Sequence, residues 1–220
     1  MNDILMIPKG ERQIRKVPLA EFEDLMQIQY TSQLIYQKPA IYENILKRCQ
    51  KCPWDDYFGM RQKWLGTFHE KEILSGYLHP ELVIAWIDER LGYGVFTNKD
   101  IPAQALIGEY AGEVKRKRWL RNKRNGYCFD YSAGDFFTPP YLIDAEKKGS
   151  LVRFINHSDE PNLEPIPLIA GKVLHIVIYS RCFIPKGSQL TYDYGIDYWA
   201  KREDPTGLGL DIQLPFLVDS

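Results

Sequence analysis

The chain is short of cysteine, of net charge and of long apolar runs, and each shortage excludes a class of protein. Four cysteines in 220 residues are too few for a disulfide framework, which favours a reducing compartment. Formal net charge is −1, from 28 Lys and Arg against 29 Asp and Glu, so no global field marks a nucleic-acid or membrane partner. The longest apolar runs fall far short of the roughly 18 residues that a membrane-spanning helix needs. The opening MNDILMIPKGERQIRK has no basic segment followed by an apolar one, so no cleaved secretory leader is expected. Internal repeats and low-complexity segments are also missing. What remains is an ordinary globular balance, 45% hydrophobic and 26% charged, in a chain long enough for one sizeable domain with an extension.

The cysteine count limits metal chemistry too. Cys49 and Cys52 form a single CxxC, while Cys128 and Cys182 stand alone. A structural zinc site takes four ligands, and His69 and His79 are the only nearby candidates. Ordinary thiols are the better reading, and no metal is expected. FHEKE, Phe68 to Glu72, lacks the second His of a zincin helix.

Periodicity divides the chain near residue 80. Before it the spacing is helical: Leu19, Phe22, Leu25 and Met26 follow Pro18, then Ile41, Ile45 and Leu46 follow Pro39, and a third pattern runs from Tyr57 to Leu65. After it come short β-branched and aromatic runs: LVIAWI (82–87), YGVFT (93–97), ALIGEY (105–110), LVRFI (151–155) and VLHIVIY (173–179). Turn clusters separate them, so an α+β body of several small sheets is expected, not a parallel βαβ array. His175, alone in a strand, reads as a packed side chain.

RFINHSDEPN, Arg153 to Asn162, poses the functional question. An apolar run meets Asn156 and His157 and then breaks, which fits either a plain turn or a binding edge. Gly92-Tyr93-Gly94 lies between two strands, where glycines serve a turn or a close ligand approach. QLTYDYG, 189–195, places Tyr192 and Tyr194 two apart, on one face of a strand.

Each piece alone is weak; the order is specific. Gly92-Tyr93-Gly94, GEYAGE (108–113), YLIDA (141–145), RFINHS and LTYDYG succeed one another over about 100 residues. That succession, from about Glu81 to Trp199, resembles the SET-domain protein lysine methyltransferases. The resemblance implies a SET fold (81–199) with a C-terminal pseudoknot, after an N-terminal helical region (1–80) and before a tail (200–220). It implies S-adenosylmethionine as methyl donor, with cofactor and peptide entering a tyrosine-walled channel from opposite faces. Tyr194 matches the catalytic tyrosine, Tyr110 the other channel tyrosine, and Tyr192 the aromatic that governs how many methyl groups fit. Gly92, Tyr93, Gly94, Tyr127, Asn156 and His157 match cofactor-binding positions. Arg153 and Asp144 read as braces behind them. RFINHSDEPN is then a binding edge.

Two departures bear on the site. Ser150 and Asp159 stand where the family often has Asn and Cys, and the cysteine-rich zinc modules before and after the domain are missing. Tyr198 and Trp199 are the candidates to close the channel, Trp199 by stacking on adenine or, as readily, by core packing. The zinc-free pattern is most like small stand-alone bacterial SET proteins, some delivered to host chromatin, so a bacterial cytoplasm or a host nucleus is the expected location. Histone or histone-like protein is the expected substrate. A run of seven cations, Lys115 to Arg124, offers a DNA contact, an import patch or merely a solvated face. The alternative function is a catalytically weak SET module that binds chromatin through this run. A homodimer through Tyr30, Tyr36 and Tyr42 is possible; core packing explains them equally well.

Overall fold

Prolines start the first two helices. The computed structural model describes residues 3–117, 125–195 and 198. Pro18, with φ −54°, leads into α1 (Leu19–Met26), which ends where Gln27 turns left-handed; Phe22 is fully buried. Pro39 opens α2 (Pro39–Lys51), and Ile41, Ile45 and Cys49 recur every four residues as its buried stripe, with Arg48 and Lys51 in the last turn, where cations suit the helix dipole. Three shorter helices follow, α3 (Trp54–Tyr57), α4 (Met60–Phe68) and α5 (Glu70–Ser75).

Four small sheets make up the rest. The first runs β2 (Arg15–Pro18), β1 (Asp3–Ile7), β5 (Leu82–Asp88), β6 (Gly92–Thr97). The second runs β3 (Gln29–Tyr30), β10 (Tyr141–Gly149), β8 (Gly112–Arg116), β4 (Ile35–Tyr36), with β9 (Cys128–Asp130) also on β10. The third is β12 (Leu163–Ala170), β13 (Val173–Ser180), β7 (Leu106–Glu109). In the fourth, β11 (Asn156–His157) lies parallel to β14 (Thr191–Tyr192). The chain leaves β11, makes the β12–β13 hairpin and returns to pair with β11 through β14. The α+β expectation of several small sheets holds.

Two sequence expectations change in detail. The N-terminal helices are present, but four short strands are interspersed with them, and β1 pairs in parallel with β5 across the residue-80 divide. Two-residue strands such as β3 and β4 carry no periodicity to read. LVRFI, expected as a strand, is a 3-10 turn over Leu151–Phe154 with all four residues buried. The Ser150 hydroxyl donates to the Glu109 carbonyl (2.8 Å) and Arg153 N–H to the Ser150 carbonyl (3.2 Å), so local bonds replace a ladder.

The core is continuous from α1 and α2 to β13, and the β7, β10 and β13 strands bring Ile107, Ile143 and Ile178 into it. His175 is part of this interior: Nδ1 lies 2.7 Å from Glu109 Oε1 and Nε2 3.2 Å from the Ala170 carbonyl. Cys49 is buried, and burial pushes its thiol up to about 11. No helix among the described residues is long and apolar enough to cross a membrane.

Candidate active site

The parallel β11–β14 pair carries the site. Pairing sets Asn156 against Thr191 and His157 against Tyr192, which brings RFINHS and LTYDYG together from 35 residues apart in sequence. A cavity of about 460 Å³ opens beside this pair. Gly92, Tyr93, Tyr110, Tyr127, Asn156, His157, Tyr192 and Tyr194 all line it, as does Tyr198. Gly94 does not. It stands behind the wall, where a Cβ would come within 3.0 Å of the Asn156 amide nitrogen and 2.9 Å of that of Gln189. Its smallness makes room for Asn156, whose Nδ2 donates to the Tyr93 carbonyl at 3.4 Å. Trp199 lies outside the described residues.

Three phenols are held in the wall. The Tyr110 hydroxyl donates to the Tyr127 carbonyl (2.9 Å) and that of Tyr194 to the Ile155 carbonyl (2.7 Å). Tyr194 N–H donates to Nδ1 of His157 (3.2 Å), which leaves Nε2 facing Asp159 at 3.3 Å. The Tyr192 and Tyr194 rings are 4.9 Å apart and Tyr198 packs edge-on to Tyr194 at 4.6 Å. Burial, reinforced by the neighbouring phenols, holds Tyr110, Tyr192 and Tyr194 far above the usual tyrosine range. All three therefore remain neutral hydroxyls across the physiological range, able to orient a group without carrying charge.

Sequence reasoning missed several lining residues. Arg153, read as a brace, reaches the cavity, as do Phe154, Arg90 and Leu91. Leu151–Phe154 is a 3-10 turn and not a strand, so the alternation of a strand does not set which way Arg153 and Phe154 face. The Arg153 guanidinium lies 3.7 Å over the Tyr127 ring and its Nη2 donates to the Glu146 carbonyl, while Nε is buried with no partner among the described residues. Desolvation lowers its pKa from the ordinary arginine value. Arg90 and Leu91 are set by an Asx turn: Asp88 Oδ1 accepts both amides, at 2.8 and 2.7 Å. Asp144, by contrast, does brace, pairing with Lys115 at 2.9 Å and accepting from Asn125.

Residues 92–195 match the SET domain family. This chain carries a SET domain. Among proteins similar to it is the histone-lysine N-methyltransferase SETD2 of Homo sapiens, 31% identical over 160 residues, 69% of this chain but 6% of that protein. The H3 lysine-36 specific histone-lysine N-methyltransferase of Cryptococcus neoformans is 34% identical over 114 residues, 50% of this chain and 14% of that one. The chain thus corresponds to a domain-sized part of these curated relatives. The solved SET domain of ATXR5, in complex with histone H3 di-methylated on R26, matches with TM-score 0.60 at 18% identity, over 84% of this chain and 87% of that one. At that identity the likeness establishes the fold: an α+β SET architecture. The basic run begins on β8, with Lys115 and Arg116. Within it Lys115 is paired to Glu113 and Asp144, and Lys117 to Asp130, so two of the seven cations are neutralised internally. Residues 118–124 lie outside the described ones. Among the described residues no group of three His, Cys, Asp or Glu side chains converges on a common point.

Proposed function

We propose that the chain is an S-adenosylmethionine-dependent protein-lysine N-methyltransferase acting on a histone or histone-like protein. The observation that carries this reading is the pairing, in one cavity, of three neutral phenols, two buried and one half-buried, with a buried arginine that makes no ion pair with a carboxylate among the described residues. A cavity of this size suits a small-molecule cofactor. The orphaned Arg153 Nε fits the carboxylate of the donor's amino-acid end, and Asn156 and His157 line the same wall. Tyr110, Tyr192, Tyr194 and Phe129 supply an aromatic collar, with ring separations of 5.1 Å (Tyr110–Phe129) and 6.4 Å (Phe129–Tyr192).

When bound, the sulfonium donor supplies an activated methyl group, which passes to the lysine nitrogen as the carbon–sulfur bond breaks. The protein's task is to present that nitrogen with its lone pair free and in line. A narrow apolar collar disfavours the ammonium form and lowers the amine's pKa, so the incoming lysine sheds its proton to water. The Tyr194 hydroxyl, fixed on the Ile155 carbonyl, offers its oxygen to the polarised methyl and amine. Tyr110, fixed on the Tyr127 carbonyl, orients the nitrogen from another side. Neither phenol needs to ionise, because neither takes the proton.

Supporting the substrate class are the names of the relatives, which act on histone lysines, and the histone H3 complex of the structural neighbour. Within these 220 residues the cysteine-rich zinc sequences are missing, as in small bacterial members of the family. On that reading it acts in a bacterial cytoplasm or, if delivered, a host nucleus. Incubation with radiolabelled donor and two pools, eukaryotic histones and bacterial nucleoid proteins, tests both points. Label on one pool identifies the substrate class; label on neither, with folded protein, would favour the catalytically weak chromatin-binding reading.

Two variants probe the same site. Asn156→Ala removes the bond to the Tyr93 carbonyl and a lining polar group, at a cost of about 1 kcal/mol or 2–4 °C in Tm. Cofactor affinity is expected to fall with it; wild-type melting and titration curves would return this segment to an ordinary turn. Tyr192→Phe empties a polar spot beside Tyr194. A water fixed by the Tyr192 hydroxyl takes up the room that a further methyl needs, so the wild type is expected to yield mainly mono- and some dimethyl-lysine. The variant is expected to shift toward higher states, read by mass spectrometry at early times. Trimethyl-lysine dominating the wild-type product would refute this.

A further inference from the structure

His175 and Glu109 form a buried pair that the methyl-transfer chemistry leaves unused. They stand 6 and 4% exposed, on neighbouring strands of the third sheet. Register sets Glu109 of β7 opposite Val177 of β13, so Glu109 lies diagonal to His175, two residues along on the same face. Nδ1 of His175 is 2.7 Å from Glu109 Oε1, and Nε2 is 3.2 Å from the Ala170 carbonyl. A carbonyl only accepts, so Nε2 carries a hydrogen. One further proton must then lie between Nδ1 and Oε1, because neither a bare imidazole nitrogen nor a carboxylate can donate. The link is imidazolium with carboxylate or imidazole with carboxylic acid, and carries zero net charge in both forms.

Its place in the fold says what the link is for. A buried polar pair contributes little stability, since apolar side chains of similar volume serve as well or better. This one lies where β7 stops. Ala111 N–H turns back to the Glu109 carbonyl at 2.8 Å, a three-residue turn with Tyr110 at its apex. Tyr110 N–H reaches the carbonyl of Ile176, the residue next to His175, at 2.9 Å. The Glu109 carbonyl also accepts the Ser150 hydroxyl at 2.8 Å, at the head of the turn that carries Arg153. Tyr110 thus hangs from a tight turn just past the last β7–β13 rung, and the Glu109–His175 link locks that rung.

We propose that Glu109 and His175 are positioning residues, whose shared proton fixes the end of β7 on β13 and so the direction in which Tyr110 enters the channel. The kinetic consequence rests on the methyltransferase reading; the backbone consequence does not.

Replacing the pair by apolar side chains of similar volume, Glu109→Met with His175→Leu, separates position from stability. Tm is expected to stay within about 3 °C of wild type or to rise. Amide hydrogen exchange at Tyr110 and Ala111 is expected to speed up about tenfold or more, while amides elsewhere in β13 keep their protection. Single-turnover methyl transfer from labelled donor to histones is expected to slow about tenfold or more, with donor Kd within about twofold of wild type. Glu109→Gln alone keeps an amide N–H to donate to Nδ1 and is expected to recover most of that rate. Unchanged exchange at Tyr110 and Ala111 in the double variant would overturn the proposal, whether or not the protein transfers methyl groups. So would transfer at the wild-type rate, or a fall in Tm beyond that range, which would make the pair a stabilising element of the core. A wild type that transfers no methyl group would refute the methyltransferase reading instead, and the exchange rates would still decide the role of the pair.

Discussion

Tyr194→Phe is expected to lower the rate of methyl transfer by about 10² or more while cofactor affinity and Tm stay near wild type. The hydroxyl is fixed by a bond to the Ile155 carbonyl in a half-buried setting, so its oxygen faces the reacting centre without reorganisation. Loss of one such preorganised group removes a few kcal/mol of transition-state stabilisation. The ring itself still packs on Tyr192 and Tyr198, so little folding energy is lost beyond about 1 kcal/mol for the bond. Single-turnover rates with a labelled donor, beside a calorimetric titration of the cofactor, separate the two effects. Unchanged turnover would remove Tyr194 from the catalytic role.

Arg153→Met is expected to weaken cofactor binding roughly 10- to 100-fold, the equivalent of losing a charged hydrogen bond worth about 1.5–3 kcal/mol. The free protein should respond in the opposite direction. Arg153 is 7% exposed, its Nε has no partner among the described residues, and its Nη2 donates to a carbonyl, that of Glu146. A buried cation that makes no ion pair among the described residues opposes folding, and a methionine of similar length fills the space over Tyr127 without that cost. The variant is therefore expected to melt at or above the wild-type temperature without cofactor, and to gain less than the wild type when cofactor is added. A fall in both affinity and apo stability would make Arg153 a structural brace.

These two residues divide what was legible from what was not. Tyr194 is visible in the string because LTYDYG, RFINHS and GEYAGE occur in a fixed order, and the chemistry of a phenol at a fixed motif position follows from the resemblance. Arg153 sits in the same motif and was misplaced. Its role depends on whether Leu151–Phe154 is a strand or a 3-10 turn, and β-branched apolar residues favour the strand by propensity alone. The Ser150 hydroxyl, bonded to the Glu109 carbonyl 41 residues away in sequence, decides for the turn, and that bond exists only once β7 is in place. The helices α1 and α2 were legible because a period of 3.6 repeats for two or more turns within the segment. The strands β3 and β4, two residues each, were not, because partners supplied by β10 and β8 define them.

By itself the sequence determined the α+β composition, the order of the motifs and the identity of the phenols, since each rests on local pattern or residue chemistry. Only the tertiary structure decided that Arg153 faces the cavity while Gly94 stands behind its wall, that Lys115 and Lys117 are already paired, and that His175 meets Glu109. The physical reason is common to all of them. Which face a side chain occupies depends on the partner its backbone meets, and those partners come from parts of the chain that no local window contains.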